Sequence, residues 1–236
     1  MTSIIVPRVR LAVVSDIHGN LMALDAVVSD LGPQGVDEVW CGGDIGWAGP
    51  WASECIARVR EYGWKTVRGN GDVWITGDPQ TIEDPAERER YERTAEAHAI
   101  SPDDAKWLLG LPLGITGPGS LLLVHGTPES PFIAPQPDAP ASEFTPYEDQ
   151  AALVIYGHVH KAFVRRLGDG TLVANSGSVG LPMDGETASY LIVDATGPEI
   201  ILRHRRVGFD RRAGIAQAKT MGGPVGELFL KFMGAT

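Results

Sequence analysis

The sequence predicts a mixed α/β chain with two β-sheets, because strand and helix patterns alternate in its first third and strand pairs follow one another in its second half. Alternating patterns indicate βαβ units and a mostly parallel sheet, whereas strand pairs joined by tight turns indicate antiparallel hairpins. In addition, polar residues stand directly after the apolar strands. Open α/β sheets place their ligands at that edge.

The first third of the chain carries three strand patterns separated by two helix patterns. RLAVVSD is a β-branched run that ends in polar residues, and the next segment repeats Leu and Val at helical spacing. We predict that this helix follows an Asn20 N-cap and stops at Gly32. DEVWCGGD and WKTVRGN repeat the strand-then-turn pattern around the helical WASECIARVREYG. These elements predict consecutive βαβ units.

The second half changes character after a helical region predicted over residues 76 to 110, in which Ser101 is the N-cap of the last helix. SLLLVHG and ALVIYGHVH are apolar strands that end in polar clusters. AFVRRLGDGTLVANSG and SYLIVDATGPEIILRHRRV are predicted antiparallel hairpins, turned at Asp169-Gly170 and Gly197-Pro198. A second sheet follows from these strands.

The segment GTPESPFIAPQPDAPASEFTP contains too many prolines for a central strand or a helix interior. We predict a long loop, and long ordered loops often form lids or binding surfaces. No linker or charge block divides the chain. The prediction is one domain over residues 1–236, with insertions around 76–110 and 127–146.

Composition limits the classes of partner. The formal net charge of -10 argues against a general electrostatic interaction with nucleic acid polymers or an anionic membrane. Cys41 and Cys55 are too few for a disulfide framework, the N-terminal segment lacks a signal-peptide pattern, and no apolar run approaches the roughly 18 to 20 residues that span a bilayer. We expect a cytoplasmic protein with a small-molecule substrate. The sequence does not indicate the oligomeric state.

Seven polar residues follow the ends of five predicted strands. Any one of them could be a helix cap or a hydrogen-bonded core residue. Together they are a set of carboxylate, amide and imidazole groups that suits Mn, Fe, Zn, Co or Ni. The seven residues are Asp16, His18, Asp44, Asn70, His125, His158 and His160.

The order of these residues resembles the calcineurin-like metallophosphoesterase superfamily. The family motifs D-x-H, G-D, G-N, a lone H after an apolar strand, and G-H-x-H occur as SDIHG, GGD, RGNGD, LVHG and YGHVH. NSGSVG resembles the segment that follows G-H-x-H in small prokaryotic members of the phosphodiesterase and diadenosine-tetraphosphatase-like branches. The resemblance covers nearly the whole chain. It implies a four-layer fold, a two-sheet β-sandwich flanked by helices.

The resemblance also implies a dinuclear centre bridged by Asp44. One metal would take Asp16, His18, Asp44 and His160, and the other would take Asp44, Asn70, His125 and His158. Two divalent transition metal ions, with Mn as first candidate and Fe, Ni, Co or Zn as alternatives, outweigh the charge of two aspartates and a bridging hydroxide that would attack the ester. Asp44, Asn70 and His125 are the implied catalytic residues. Arg68 is a candidate for substrate contact.

Position 71 departs from the pattern. Many relatives carry a histidine after G-N that donates a proton to the leaving oxygen, and Gly71 cannot do so. Loss of a general acid favours diesters and anhydrides with good leaving groups. A turn that requires positive φ is the alternative reason for glycine. Asp72 is predicted to cap a helix or support the ligands.

The predicted function is a dinuclear metal-dependent phosphodiesterase that hydrolyses small nucleotide-like phosphate esters. A phosphomonoesterase, a dinucleoside polyphosphate hydrolase and a non-enzymatic interaction module on the same scaffold are the alternatives. Metallo-β-lactamase-type hydrolases also use His-x-His, but HVHKAF lacks their following Asp-His pair.

Overall fold

The computed structural model describes residues 9–78, 82–197 and 199–235, and its strands form two five-stranded sheets. The strands are β1 (Arg10–Val14), β2 (Glu38–Cys41), β3 (Lys65–Thr66), β4 (Gly114–Gly117), β5 (Leu121–Val124), β6 (Leu153–Tyr156), β7 (Phe163–Arg166), β8 (Leu172–Asn175), β9 (Ala188–Asp194) and β10 (Ile201–Val207).

The α-helices lie mainly on one side of the first sheet. They are α1 (Leu21–Leu31), α2 (Ala52–Glu61), α3 (Asn70–Trp74), α4 (Pro85–His98), α5 (Pro102–Leu109), α6 (Arg211–Met221) and α7 (Gly223–Phe232), and two 3₁₀ helices cover Gly32–Gln34 and Ala141–Tyr147. Among the residues described, none of these helices is long and apolar enough to cross a bilayer.

The first sheet has the order β10-β9-β1-β2-β3. Its β1, β2 and β3 are mutually parallel, as the predicted βαβ units require. The β9–β10 hairpin then adds to β1 in antiparallel orientation. That hairpin was predicted, although Pro198 of its proposed turn lies outside the described residues.

The second sheet has the order β4-β5-β6-β8-β7 and is also mixed. Its central strands β5, β6 and β8 are parallel, while β4 and β7 pair antiparallel at the edges. The predicted β7–β8 hairpin is confirmed. Its turn is stabilised by the Asp169 carboxylate, which accepts bonds from the backbone N–H and hydroxyl of Thr171, and by Gly170 at φ +98°.

The two sheets pack face to face, which confirms the predicted sandwich. Side chains alternate across a strand, so Leu11 and Val13 of β1 face the second sheet while Ala12 and Val14 face the helices. The core between the sheets contains Leu11, Val13, Trp40, Leu123, Leu153, Ile155 and Leu191.

The proline-rich segment, which we predicted to be a loop, contains a helical turn that covers the second sheet. Its later part forms the 3₁₀ helix Ala141–Tyr147, and Phe144 and Tyr147 pack on the outer face of that sheet. Pro146 lies inside this helix. A short 3₁₀ helix tolerates proline because few hydrogen bonds are lost and the required φ suits the pyrrolidine ring.

Helix boundaries largely follow the predicted caps. Asn20 and Ser101 accept hydrogen bonds from backbone N–H groups of α1 and α5, at Ala23 and Asp104. Gly32 is the C-cap of α1, as predicted, and a 3₁₀ turn follows the helix directly. Gly32 retains helical φ and ψ, and the 3₁₀ turn continues to Gly35, whose φ of +60° ends it.

Candidate metal centre

The loops after β1, β2, β5 and β6 are hydrogen-bonded to one another. The backbone N–H of His18 donates to the carbonyl of Asp44 at 2.9 Å, and that of Asp16 donates to Gly43 at 3.0 Å. On the second sheet, the N–H of Gly157 donates to the His125 carbonyl at 3.0 Å. The His158 N–H joins the two sheets by donating to the Asp16 carboxylate at 3.1 Å. The predicted ligands therefore converge at one place.

Five of the seven residues have a left-handed backbone. Non-glycine residues rarely adopt this conformation, and each instance costs about 1–3 kcal/mol unless the surroundings offset it. A concentration of such residues is typical of functional sites. The five φ angles are 56° at Asp16, 50° at His18, 55° at Asp44, 66° at His158 and 57° at His160.

The first cluster contains Asp16, His18 and His160. The Nδ1 atoms of His18 and His160 lie 2.8 and 2.7 Å from carbonyl oxygens, so both must donate from Nδ1. In the neutral rings, the two Nε2 atoms are then acceptors, yet they face each other at 3.0 Å. The Asp16 carboxylate lies 3.3 Å from His160 Nε2. Two facing lone pairs beside a carboxylate fit a bound cation.

The second cluster contains Asn70, His125 and His158. His125 donates from Nδ1 to the Gly42 carbonyl at 2.7 Å, which leaves its Nε2 as an acceptor 2.9 Å from Asn70 Oδ1. His158 Nδ1 lies 2.7 Å from the same oxygen. The amide could turn over and donate its NH₂ to both rings. A cation would instead favour the orientation that presents the amide oxygen.

Asp44 lies between the clusters. Its Oδ2 is 3.5 Å from His18 Nε2, and its Oδ1 is 3.5 Å from His125 Nε2. One carboxylate oxygen thus faces an imidazole of each cluster, and Asp16, Asp44 and His125 themselves form a further group with metal-ligand spacing. This geometry suits a bridging ligand.

The pKa values of the four histidines move in two directions. Burial, with the neighbouring His160 charge, lowers the pKa of His18 to about 3, and burial with His125 does the same for His158. Burial lowers the pKa of His125 and of His160, but the nearby aspartates outweigh it, so that both pKa values are raised. Burial raises the pKa of Asp16, but His160 and the other histidines outweigh it, so that this pKa lies well below its usual range. Neutral imidazole and ionised carboxylate are the metal-binding forms, so that metal binding would release the protons held by His125 and His160.

Asp72 supports the Asp44 loop, in agreement with its predicted capping role. Its carboxylate accepts hydrogen bonds of 2.9 Å from the backbone N–H groups of Asp44, Ile45 and Gly69. Burial and the charge of Asp44 raise its pKa to about 6. Three backbone donors in this arrangement anchor the bridging residue to the start of α3.

Gly71 has a different role from the turn that we predicted. It lies in the helix α3 and has no positive φ. Its N–H donates to Asp44 Oδ1 at 2.6 Å, and a Cβ at this position would approach the Trp47 Cβ to 2.8 Å and Asp44 Oδ1 to 3.0 Å. Close approach to the bridging ligand requires glycine here. A histidine introduced at position 71 would have to displace Trp47 or Asp44.

We expect Gly71→Ala to lower both stability and metal affinity. The added methyl must displace Trp47 or Asp44, and overpacking of this kind costs about 1–3 kcal/mol. Thermal unfolding with and without Mn²⁺ measures both effects. Gly32→Ala is the matched control, because Gly32 has helical φ and a Cβ added there would meet no other atom within 4 Å. Equal unfolding temperatures and metal responses for the two variants would contradict this account.

Arg68, the candidate for substrate contact, binds the protein backbone. One guanidinium nitrogen donates to the carbonyl of Leu109 at the end of α5, at 2.6 Å. The substrate contact proposed for Arg68 therefore remains a prediction.

Three neighbours of the centre were not found by sequence reasoning. Trp47 and Leu181 supply the carbonyls that orient His18 and His160, and His98 binds the backbone next to Trp47. Every residue has a backbone carbonyl, so the residue type does not indicate which carbonyl will orient a ligand. His98 follows no motif in α4, so the sequence offers no indication of its position.

Comparison with known proteins identifies the family of the chain. A family model for the calcineurin-like phosphoesterase superfamily domain matches residues 9–197. The uncharacterized protein MJ0912 of Methanocaldococcus jannaschii is 33% identical over 208 residues, which cover 78% of this chain and 82% of that protein.

Two solved structures share the fold. A metallophosphoesterase from Sphaerobacter thermophilus has a TM-score of 0.76 and 27% identity, with 97% of this chain and 99% of that chain covered. Protein PH1004 of Pyrococcus horikoshii OT3 has a TM-score of 0.75 and 21% identity, with 93% and 97% covered. The chain therefore belongs to the calcineurin-like phosphoesterase superfamily and is a phosphoric ester hydrolase.

Proposed function

We propose that this chain is a dinuclear metal-dependent phosphodiesterase that hydrolyses small nucleotide-like phosphate esters. The observation that carries the proposal is the position of Asp44, whose two carboxylate oxygens face imidazoles of two separate clusters at 3.5 Å. Asp16, His18 and His160 would hold one ion with Asp44, and Asn70, His125 and His158 would hold the other. This arrangement also supports an enzyme over an interaction module.

The ligand set indicates the class of metal. Four imidazoles, two carboxylates and one amide suit Mn first, with Fe, Ni, Co or Zn as alternatives. Two such ions would lower the pKa of a shared water and stabilise charge on a phosphoryl group. The left-handed backbone at five of the seven residues orients these ligands. Asp44, Asn70 and His125 would lie nearest the reacting phosphate.

The substrate should carry a good leaving group. Gly71 provides no proton donor, and a side chain at this position would have to displace Trp47 or Asp44. General-acid catalysis typically contributes about 10²- to 10⁴-fold, which an alkyl monoester would lose. Diesters and anhydrides with more acidic leaving groups lose less.

An aromatic surface beside the centre supports a nucleotide-like ester. Trp74 lies in the helix that begins at Asn70. The centroid of its ring is 4.8 Å from that of Tyr91 and 6.1 Å from that of Phe132. All three side chains are half-buried. Tyr91 comes from the helical insertion and Phe132 from the proline-rich segment. Flat rings that remain partly exposed can stack on a base.

A substrate series tests the proposal. We expect Mn²⁺-dependent hydrolysis of aryl and nucleotide diesters, with a rate that falls steeply as the leaving-group pKa rises and with weak turnover of alkyl monoesters. Dinucleoside polyphosphates and cyclic nucleotides belong in the same series. A flat leaving-group dependence with chemistry rate-limiting would show that another group supplies the proton.

Phe132→Ala tests the aromatic surface within the same series. We expect a higher KM for nucleotide diesters and little change for small alkyl diesters. Phe232→Ala, on the exposed side of α7, is the control. Equal effects of Phe132→Ala on both substrate types would remove the support for nucleotide recognition.

Domain organisation, partners and location complete the proposal. We propose a single domain spanning the chain, with the insertions around 76–110 and 127–146 contributing to substrate choice. The acidic surface supports small substrates rather than nucleic acid polymers or anionic membranes, and we propose a cytoplasmic location.

A further inference from the structure

One peptide unit joins the candidate metal centre to the helical insertion. The carbonyl of Trp47 accepts the Nδ1 hydrogen of His18 at 2.8 Å. The N–H of Ala48, which belongs to the same peptide unit, lies 3.1 Å from Nε2 of His98. A backbone N–H can only donate, so His98 must accept at Nε2 and carry its hydrogen on Nδ1.

The geometry points to His98 as a positioning residue for the ligand His18, and we propose that it acts through the Trp47–Ala48 peptide. This inference rests on the proposed metal centre. Both hydrogen bonds polarise the peptide in the same sense, so each strengthens the other. The Trp47 carbonyl then holds the His18 ring in one orientation and makes its Nε2 a stronger ligand.

The backbone at Ala48 needs such support. Its φ of +77° is unfavourable for a residue with a Cβ, and the residue is fully buried. A buried N–H without an acceptor would be costly. His98 supplies this acceptor and thereby stabilises the peptide unit in its unfavourable conformation.

The surroundings keep His98 in the accepting form. Burial lowers the pKa of its imidazole to about 4, so the ring is neutral at pH 7. The Trp47 indole packs against two side chains of α4, with centroid-to-centroid distances of 5.5 Å to the His98 ring and 5.2 Å to the Tyr91 ring. The insertion around 76–110 thereby contacts the residue whose carbonyl orients His18.

Three variants separate hydrogen bonding from packing. His98→Phe keeps an aromatic ring beside Trp47 but removes the acceptor. His98→Gln loses the ring but places an amide oxygen near the original Nε2. The metal-free protein is titrated with Mn²⁺ in a calorimeter. His160→Ala removes a ligand of the cluster that contains His18, and the binding step that it weakens is therefore the step of that cluster.

We expect His98→Phe to lower the Mn²⁺ affinity of this step by about tenfold. That is the lower end of the range for residues that orient a ligand. The other step should change much less, and His98→Gln should restore most of the loss. Wild-type Mn²⁺ affinity in His98→Phe, or equal losses of affinity in the Phe and Gln variants, would overturn the proposed role of His98. Wild-type protein that took up no Mn²⁺ would overturn the proposed centre as well.

A second measurement needs neither metal nor turnover. NMR of the wild-type protein with ¹⁵N-labelled histidine rings should show His98 protonated at Nδ1. The His18 Nδ1 hydrogen resonance should shift in His98→Phe and return toward its wild-type position in His98→Gln. A His98 ring protonated at Nε2 would overturn the proposal, because that tautomer cannot accept from Ala48.

Discussion

Asp44→Asn should reduce kcat/KM by at least about 10²-fold, the scale of losing one contact that stabilises transition-state charge. The substitution keeps the size of the side chain and an oxygen that can accept from the Gly71 N–H, but it removes the charge that faces both His18 and His125. The second metal should bind poorly. The stabilisation that Mn²⁺ gives against heat should shrink accordingly.

Metal analysis, steady-state kinetics and thermal unfolding measure these three effects on the same preparation. Asp194→Asn is the control, because that carboxylate pairs with Arg10 at the opposite end of β1. Full occupancy and unchanged turnover in Asp44→Asn would contradict the bridging assignment. Normal folding of the metal-free variant separates loss of metal from loss of structure.

His125→Ala and His158→Ala should weaken the same metal site, because both rings face Asn70 Oδ1, at 2.9 and 2.7 Å. Either change should reduce kcat/KM by roughly 10²-fold or more. The double variant should lose much less than the product of the single losses, since residues that act as a unit are not additive. Kinetics and Mn²⁺ titration of the three variants test this.

His160→Ala provides the comparison, because its ring belongs to the other cluster. It should weaken the other step of the titration. Strict multiplicativity of the His125 and His158 losses would show that the two residues serve separate functions. The same result would also contradict the assignment of Asn70, His125 and His158 to one metal ion.

The sequence alone determined the strands, their grouping into βαβ units or hairpins, and the identity of the candidate ligands. Apolar runs that end in polar residues are local patterns, and parallel strands of one sheet bring their carboxyl ends to one edge. Asp16 and Asp44 follow neighbouring parallel strands of the first sheet, so their proximity was predictable from this rule, whereas His125 follows a strand of the second sheet and was placed with them by the family resemblance. In the structure, Asp44 Oδ1 lies 3.5 Å from His125 Nε2, and one ligand atom of each of the three residues lies within 4.8 Å of the others.

Only the tertiary structure decided why glycine stands at position 71 and what His98 does. Gly71 is required by the approach of Trp47 and Asp44, which are distant in sequence, and not by its own φ. His98 acts on a backbone N–H 50 residues away, so no side-chain motif marks the pair. Close approach depends on the packed arrangement of several elements, whereas sequence periodicity reports only the face that each element buries.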